Sequence, residues 1–312
     1  MIIVTGAAGF IGGVISLKLK DAGYSVIGID RRPCSEQLQL CFEQFIESDY
    51  VDALEFIADT KADVIIHCAG NSLVGPSMIN PQEYYHNNIV KTLSLLDTIV
   101  KHVPSTRLIF SSSAAVYGTP IMTPCNEVDP CEPISPYGES KLAIEWMLNA
   151  YNRAYNLDYV AFRYFNAAGA DTQQRHGQEP SATHIVARVL ESIKNKTEFT
   201  LFGNNYETPD GTCIRDYIHV DDVASAHIAA FDQKIPSGIY NLGTNNGISN
   251  LEILNKAAEI TGIKFPISFE DKRPGDPEML VSETDKFQKA AGWQSKYTIT
   301  DIISHTWAWY NR

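Results

Sequence analysis

Short apolar segments alternate with helix-length segments through the first half of the chain, and the first of them runs directly into a series of spaced glycines. This alternation predicts a parallel sheet, because two parallel strands need a long, usually helical, connection between them. Right-handed crossovers then place helices on both faces of the sheet, which gives a doubly wound α/β fold. The predicted strands are residues 2–4, 25–29, 64–67, 108–110 and 159–162.

The pattern loosens beyond about Gly169, where loops rich in glycine, proline and glutamine lead into shorter strands and helices. A chain of 312 residues is long for a single hydrophobic core. We therefore expect a larger domain at residues 1–168 and a smaller C-terminal α/β domain at residues 169–312 that binds the substrate. We expect this boundary to be porous, with the chain crossing back near residues 217–243.

One helix of the second half has clear sequence limits. Ser249 and Glu252 have the spacing of a capping box, and Gly262 stands where a C-terminal glycine ends a helix. Leu251, Leu254 and Ala258 share one face of this helix.

The glycines Gly6, Gly9 and Gly12 follow the first predicted strand and open a helix. Glycines at this spacing allow a tight turn and let a pyrophosphate approach the backbone amides at the positive end of the helix. Three glycines in an ordinary turn would look the same, but Asp30 ends the second strand eighteen residues after Gly12. A carboxylate there accepts both ribose hydroxyls of an adenosine, so the pattern is typical of a Rossmann dinucleotide site.

Asp30 also bears on which dinucleotide binds. Its carboxylate repels a 2′-phosphate, which favours NAD over NADP. Arg31 and Arg32 follow at once and could soften that repulsion, or could simply form a solvated turn. NAD is the predicted cofactor.

Composition excludes several other functions. The formal net charge of −12 argues against nucleic acid as a partner, since binding to nucleic acid depends on clustered lysines and arginines. The six cysteines show neither paired spacing nor clustering with histidine, so we expect reduced thiols and no metal site. The sequence has no apolar segment of membrane-spanning length and runs from Met1 straight into the glycine motif, so we expect a cytoplasmic protein.

A second group of polar residues follows the strand at 108–110. Ser113 comes just after this strand, at the carboxyl edge of the sheet, where ligands bind in such folds. Tyr137 and Lys141 lie one helical turn apart, with Pro136 at the start of their helix. About one such Tyr and Lys pair is expected by chance, so the dinucleotide site gives this pair its meaning.

The chemistry of these three side chains is complementary. A phenol with a pKa of about 10 is a poor base at neutral pH, but a nearby ammonium and a positive nicotinamide favour its anion. Lys141 would therefore tune Tyr137 as general base, while Ser113 hydrogen-bonds the reacting oxygen as an alcohol becomes a ketone. The alternative is a core tyrosine and a surface lysine.

With these motifs the chain resembles the extended short-chain dehydrogenase/reductases, and among them the nucleotide-sugar 4-epimerases, over nearly its whole length. The matching segments are TGAAGFIG (5–12), EYYHNN (83–88), SSSAAVYG (111–118), SPYGESK (135–141), RYFN (163–166), FGNNY (202–206) and DGTCIRDYIHV (210–220). The last of these, with FGNNY before it, is the pattern of the epimerases. The resemblance implies interconversion of UDP-glucose and UDP-galactose through oxidation at C4, rotation of the 4-keto sugar and re-reduction.

The resemblance also implies specific contacts. Ser113, Tyr137 and Lys141 would be catalytic. The NAD site would comprise Gly6, Gly9, Phe10, Ile11, Gly12, Asp30, Arg31, Asp49, Tyr50, Cys68, Ala69, Gly70, Asn87, Tyr137, Lys141 and Phe165. The UDP-sugar would contact Ser113, Tyr137, Asn166, Thr183, Phe202, Arg215, Arg273, Asp276 and Leu280.

Arg215 and Arg273 would hold the phosphates of an anionic ligand in an acidic protein, because guanidinium groups bind phosphate oxygens in bidentate fashion. The alternative is that they form the surface pairs Arg215–Asp216 and Arg273–Asp276.

The chain also departs from the family in two places. The family often has a lysine after HCAG (67–70), whereas this chain reads Asn71-Ser72, and the common asparagine at 183 is threonine.

Several alternatives stay open. Leu280 stands where family members restricted to plain hexoses have a tyrosine, so an N-acetylhexosamine substrate or a bifunctional enzyme is possible, and a UDP-glucuronate epimerase is a further candidate. A 4,6-dehydratase is disfavoured because Ser113-Ala114-Ala115 replaces the Thr-Asp-Glu of that group. An NAD-sensing protein without turnover would not need all three catalytic residues.

The resemblance further suggests a homodimer through the helices near 84–103 and 137–155, although an apolar helix face is more simply explained as core.

Overall fold

The structure is a computed structural model that describes residues 1–179, 183–273 and 276–312. Its strands are β1 (Ile2–Thr5), β2 (Val26–Asp30), β3 (Gln44–Glu47), β4 (Val64–His67), β5 (Arg107–Ser113), β6 (Tyr159–Tyr164), β7 (Asn166–Ala168), β8 (Phe199–Phe202), β9 (Ile214–His219), β10 (Gly238–Leu242), β11 (Gly247–Ser249), β12 (Ile267–Glu270) and β13 (Met279–Leu280).

The helices are α1 (Phe10–Asp21), α2 (Glu36–Gln39), α3 (Leu54–Thr60), α4 (Val74–Ile79), α5 (Pro81–Tyr84), α6 (Lys91–His102), α7 (Pro136–Tyr155), α8 (Ile185–Asn195), α9 (Val220–Asp232), α10 (Asn250–Thr261), α11 (Asp285–Ala291) and α12 (Ile299–Tyr310). A π-helical turn spans Tyr85–Val90 and a 3₁₀ turn spans Ala114–Tyr117.

The largest sheet has seven strands in the order β10-β6-β5-β4-β1-β2-β3, and every neighbouring pair is parallel. Its apolar side chains alternate between two cores, as strand geometry requires. Ile2 and Val4 of β1 belong to the core under α1 and α9, whereas Ile3 belongs to the core under α3, α6 and α7. Helices therefore cover both faces, which confirms the doubly wound α/β fold.

Two strands of this sheet were not predicted from the sequence. β3 forms an edge, and its residues are exposed or half-buried, so its apolar run is too short to be recognised. β10 pairs with β6 at the other edge, although residues 238–242 lie far beyond the other strands in the chain. The chain thus returns to the main sheet after building β7, α8, β8 and β9.

The remaining strands form two small sheets. β9 pairs antiparallel with β11 and parallel with both β13 and β7, while β8 pairs parallel with β12. Helices α8, α10 and α12 pack on a separate core that includes Leu190, Leu254 and Trp309. β7 follows β6 after one residue, so these small sheets begin at the carboxyl edge of the main sheet.

Local signals define the helix ends where the sequence predicted them. The Ser249 hydroxyl and the Glu252 side chain form the capping box of α10, and Gly262 ends the helix with φ of 68°. The buried residues of α10 are Ile253, Leu254 and Ala257, whereas Leu251 and Ala258, which share a face with Leu254, are half-buried. Local signals fix where α10 starts, whereas its neighbours α8 and α12 fix which face is buried.

Candidate active site

The glycine turn between β1 and α1 leaves no room for side chains. Gly6 has φ of 72°, and a Cβ on it would lie 2.7 Å from the Ala69 backbone nitrogen. A Cβ on Gly12 would lie 2.3 Å from the Gly6 carbonyl oxygen. The turn therefore packs backbone against backbone, as a turn that admits a pyrophosphate to the amides of a helix end requires.

A cavity of about 670 Å³ opens in front of this turn, along the carboxyl ends of β1, β2 and β4. It is lined by thirteen of the sixteen residues predicted to bind the cofactor: Gly6, Gly9, Phe10, Ile11, Gly12, Asp30, Arg31, Asp49, Tyr50, Cys68, Ala69, Gly70 and Asn87. Its volume and its residues fit an extended dinucleotide. Asn71 and Ser72, at the position of the missing family lysine, also line it.

Asp30 is held at the end of β2 by two backbone amides. Its Oδ2 accepts a hydrogen bond from the Ala8 amide at 3.0 Å, and its Oδ1 accepts one from the Arg32 amide at 2.9 Å. The Arg32 Nε lies 3.6 Å from the same Oδ1, and its side chain is 62% exposed. Each carboxylate oxygen has further lone-pair capacity, so Asp30 can still accept hydrogen bonds from ribose hydroxyls.

Three further residues line the cavity, Asp49, Tyr50 and Lys91. Lys91 donates to Asp49 Oδ2 at 2.6 Å. The partial burial of Asp49 acts to raise its pKa, but the Lys91 ammonium and the Val51 amide outweigh this effect and the pKa of Asp49 is lowered. The Tyr50 hydroxyl is buried and has no hydrogen-bond partner among the residues that the structure describes.

Ser113, Tyr137 and Lys141 lie on two adjacent elements, the end of β5 and the first turns of α7. Ser135 caps α7 by accepting from the Gly138 amide at 3.2 Å, and Pro136 occupies the first helical position, as predicted. Ser113 accepts from the Ala115 amide at 3.2 Å, and its side chain lies close enough to Tyr137 to lower the pKa of that phenol. The three predicted catalytic side chains are therefore brought together.

Lys141 is buried beneath this group. Its Nζ donates to the Ser111 carbonyl oxygen at 2.7 Å and lies 4.8 Å from the centre of the Phe110 ring and 5.9 Å from that of Tyr137. Burial lowers the pKa of Lys141 to about 8, against smaller opposing effects of Cys68 and Glu145. Burial at this position therefore disfavours the protonated form of Lys141.

Burial raises the pKa of Tyr137, which the nearby Ser113 side chain partly offsets and the nearby Tyr84 phenol reinforces. The tyrosine is therefore a neutral phenol in the protein alone. The lower pKa expected for a general base requires the site to hold a positively charged ligand.

Behind Lys141 a chain of hydrogen bonds leads from the cavity into the core. The Ser111 hydroxyl lies 3.2 Å from the Cys68 sulfur and 2.9 Å from the Tyr164 hydroxyl, which lies 2.8 Å from His227 Nε2. His227 Nδ1 faces the Val223 carbonyl at 2.8 Å, so Nδ1 carries the proton and Nε2 accepts from Tyr164. This network holds Ser111, whose carbonyl receives Lys141.

The predicted substrate residues gather around β9 and β13. Leu280 is the register partner of Arg215, and the Asn166 side chain donates to the Asp216 carbonyl at 2.8 Å. The Arg273 guanidinium stacks 4.1 Å from the centre of the Phe202 ring. Thr183, in contrast, is exposed on the loop before α8.

The arginine pairs suggested as an alternative do not form. Arg215 pairs with Asp276 and not with Asp216. Asp216 is buried and accepts hydrogen bonds from Thr244 and Ser282. Arg215 thus lies on β9, paired with a carboxylate from the segment before β13.

Leu280 and Phe165 lie in one apolar cluster. Phe165 is buried there with Ala114 and Leu142, and Leu280 packs against the edge of the cluster while half-buried. Phe165, Tyr137 and Lys141 are not among the residues that line the dinucleotide cavity. Leu280 lies between this cluster and the strand that carries Arg215.

The sequence interpretation did not single out His184. This residue caps α8 next to Thr183, and its ring meets Tyr217 edge-on at 5.7 Å between centres. Both ring nitrogens are buried without a hydrogen-bond partner in the described part of the chain, and burial lowers the pKa of His184 to about 4. Tyr217 and Arg215 project from the same face of β9, so His184 lies on the side of Arg215.

Within residues 1–179, 183–273 and 276–312 no cluster of three histidine, cysteine, aspartate or glutamate side chains could hold a metal ion. None of the helices described there has the length and apolar character needed to cross a membrane.

A Rossmann-type sheet with a closed glycine turn, an acidic residue at the end of β2 and a group of Ser, Tyr and buried Lys defines a class of enzyme. These are the dinucleotide-dependent enzymes that transfer a hydride and a proton at a hydroxyl-bearing carbon. Comparison with known sequences agrees, since residues 2–243 match the NAD dependent epimerase/dehydratase family. The chain belongs to this family.

Individual relatives are similar over nearly the full length. The UDP-glucose 4-epimerase of Halalkalibacterium halodurans is 40% identical over 318 residues, which cover 99% of this chain and 95% of the relative. The crystal structure of the Bifidobacterium longum UDP-glucose 4-epimerase with NAD⁺ and UDP is 34% identical, with a TM-score of 0.89 and coverage of 99% and 98%. The UDP-Glc/GlcNAc 4-epimerase of Campylobacter jejuni is 33% identical, with a TM-score of 0.86 and the same coverage.

Proposed function

We propose that this chain is an NAD-dependent UDP-glucose 4-epimerase, an isomerase that interconverts UDP-glucose and UDP-galactose. The observation that carries the proposal is the group of Ser113, Tyr137 and Lys141 beside a cavity that fits a dinucleotide, next to Cys68 and Tyr84 of its wall. Relatives that match 99% of the chain bear the name UDP-glucose 4-epimerase, which supports the same reaction.

The residues of the glycine turn would hold the pyrophosphate of NAD, and Asp30 would hold its adenosine ribose. NAD, when bound, supplies the hydride acceptor and donor that an inversion at C4 needs. Because oxidation and re-reduction occur in one turnover, the protein has no need to release it, and we expect purified protein to contain NAD.

Tyr137 would remove the proton from the C4 hydroxyl while the hydrogen bonded to C4 leaves as hydride. It would return the proton to the oxygen when the ketone is reduced. Ser113 would donate a hydrogen bond to the C4 oxygen when it becomes a ketone. The Lys141 ammonium, anchored on the Ser111 carbonyl, would stabilise the tyrosinate electrostatically. None of these three roles needs a metal ion.

Inversion requires that the 4-keto sugar present its other face. Arg215 and Arg273 would bind the diphosphate, Phe202 would contact the uridine end, and Asn166 would contact the diphosphate or the sugar. His184, which is neutral and has no hydrogen-bond partner among the residues that the structure describes, would add a hydrogen bond on the same side. Tight binding of the nucleotide with weak binding of the hexose permits the sugar to rotate about its diphosphate link.

The range of sugars is a finer proposal. Leu280 is smaller than tyrosine and has no hydroxyl, so we expect the enzyme to accept UDP-N-acetylhexosamines as well as the plain hexoses. The Campylobacter relative is named for both UDP-Glc and UDP-GlcNAc. The simpler alternative is that Leu280 only packs against the cluster of Phe165.

Incubation with UDP-galactose, UDP-N-acetylgalactosamine and UDP-glucuronate, without added NAD, tests the function directly. Chromatographic separation should show the epimers of the first two, and nucleotide released by denaturation should be NAD. A 4-keto-6-deoxy product would instead identify a dehydratase, and protein that carries NAD but changes no sugar would identify a sensor. Activity that depends on added NADP would contradict the cofactor assignment.

We also propose a cytoplasmic homodimer. Leu93 on α6 and Trp146 and Tyr155 on α7 are 40%, 65% and 58% exposed, which leaves an apolar surface on these two adjacent helices. Trp146→Glu should convert a dimer to a monomer in sedimentation equilibrium, whereas the same change at the exposed Val128 should not. A monomer in the wild-type protein would refute the dimer.

A further inference from the structure

Residues 171–178, here called the strap, connect β7 to α8 and lie against helix α1. The Asp171 amide donates to the His176 carbonyl at 2.9 Å, which closes the strap into a tight turn. The Arg175 guanidinium binds both carboxylate oxygens of Asp21, the last residue of α1, at 2.8 and 2.7 Å. The strap is thereby fixed to the far end of the helix that follows the glycine turn.

His176 fixes the strap to the near end of the same helix. Its Nε2 lies 3.1 Å from the carbonyl oxygen of Gly9, the N-cap residue of α1. A carbonyl oxygen only accepts, so Nε2 carries the proton and donates. The ring is buried, which lowers the pKa of His176 and keeps the imidazole neutral.

The glycine at position 13 is explained by this ring. Gly13 is not one of the three glycines of the dinucleotide turn, yet a Cβ on it would lie 2.6 Å from His176 Cδ2 and 2.7 Å from Nε2. The next nearest atom, Leu38 Cδ1, would be 3.2 Å away, at the end of a flexible side chain. The requirement for glycine at this position therefore arises from His176.

The other side of the ring is backed by the C-terminal helix. The Trp309 ring of α12 meets His176 edge-on at 6.3 Å, and its Nε1 donates to the Gln178 carbonyl at 3.1 Å. Gln178 lines the dinucleotide cavity. A continuous set of contacts thus runs from α12 through the strap to the glycine turn and to the cavity wall.

We propose that His176 is a positioning residue for the dinucleotide: by binding the Gly9 carbonyl it fixes the glycine turn, and by anchoring the strap it holds Gln178 over the bound cofactor, so that the cofactor dissociates slowly. The inference rests on the NAD site of the proposed function. It adds a residue from the second half of the chain to the retention of a cofactor that the first half binds.

The test uses full-length protein loaded with isotopically labelled NAD and chased with a large excess of unlabelled NAD. His176→Ala should accelerate release of the label by roughly threefold to tenfold, the worth of one hydrogen bond. His176→Gln can place an amide donor near the position of Nε2 and should restore most of the retention. The thermal unfolding of the ligand-free variants is recorded in parallel, since a role in folding alone would lower stability without a specific change in release.

Gly13→Ala provides the matched test, because its added methyl group collides with the histidine ring. In the wild-type background this change should accelerate release by a similar factor. In the His176→Ala background the methyl group has space, and it should alter release by less than about twofold. Such a result would show that the two positions act through one contact.

Release rates within about twofold for wild type and His176→Ala would overturn the inference, and so would an equal effect of Gly13→Ala in both backgrounds. Protein that binds no NAD at all would overturn the proposed function and this inference together. Tight binding with unchanged release rates would overturn this inference alone.

Discussion

The burial of the Lys141 ammonium allows a quantitative prediction of how its removal changes the free energy of unfolding. The side chain is 6% exposed, and its Nζ has one hydrogen-bond acceptor, the Ser111 carbonyl, within the described residues. Replacing it with methionine keeps an unbranched chain of similar length and removes the charge. We predict that Lys141→Met abolishes turnover and yet stabilises the ligand-free protein at neutral pH.

The magnitude follows from the pKa. Burial lowers the pKa of Lys141 from the ordinary lysine value of 10.5 to about 8. At about 1.36 kcal/mol for each pKa unit, the protonated side chain costs the fold about 3 kcal/mol. Loss of the hydrogen bond to Ser111 offsets about 1 kcal/mol of the gain. The free energy of unfolding should therefore rise by about 2 kcal/mol at pH 7.

The direction of the pKa shift of Lys141 determines how this stability difference varies with pH. The pKa of Lys141 is lower in the folded protein than in the unfolded chain, so the unfolded chain binds more protons between pH 8 and pH 10.5. The wild-type protein recovers stability as the pH rises through this window. The advantage of Lys141→Met should accordingly be full below pH 8 and should disappear by about pH 10.5.

Urea unfolding of ligand-free protein, followed by tryptophan fluorescence between pH 7 and pH 10, measures this difference. Lys101→Met, at an exposed lysine near the end of α6, is the control and should change the free energy of unfolding by less than about 0.5 kcal/mol at every pH. A Lys141→Met protein that is less stable than wild type at pH 7, or a difference that does not vary with pH, would refute the reasoning.

Three further changes test other parts of the site. Tyr137→Phe removes the general base from a ring that keeps its packing, so turnover should fall by roughly two to four orders of magnitude while UDP-sugar binding survives; turnover within about threefold of wild type would rule out this base. Leu280→Tyr should reduce kcat/KM for UDP-N-acetylgalactosamine far more than for UDP-galactose, and equal losses would dismiss Leu280 as a gate. Glu145→Ala leaves the buried Arg163 without its 2.7 Å partner and should lower the free energy of unfolding by about 3 to 5 kcal/mol in urea titrations; a loss below about 1 kcal/mol would contradict the buried pair.

The sequence predicted those parts of the fold whose causes are local. Buried parallel strands are continuous apolar runs, so β4 was predicted at its observed bounds, whereas the half-exposed β3 left no such signal. The cap of α7 at Ser135 and Pro136 and the capping box of α10 depend on residues within one helical turn. Their positions could therefore be predicted without any knowledge of the tertiary structure.

The candidate site shows the same division. Gly6, Gly9 and Gly12 are spaced along a single turn, and Tyr137 and Lys141 lie on one helix, so the sequence indicated both groups. Arg215 was predicted to bind phosphate, with a pair to its neighbour Asp216 as the alternative, and the structure pairs it with Asp276, sixty-one residues away. Which carboxylate faces an arginine depends on the pairing of β9 with β13, and spacing does not encode that pairing.

The amino-acid sequence by itself determined the alternation of strand and helix, the dinucleotide turn with Asp30, and the identity of the chemical groups. Only the tertiary structure decided that the returning chain pairs as β10 with β6 at the edge of the main sheet, that both nitrogens of His184 are buried without a hydrogen-bond partner among the described residues, and that His176 meets Gly9 across 167 residues of chain. The physical reason is that helix periods, caps and tight turns are fixed by neighbours in sequence, whereas burial and partner choice are fixed by packing between segments that the sequence separates.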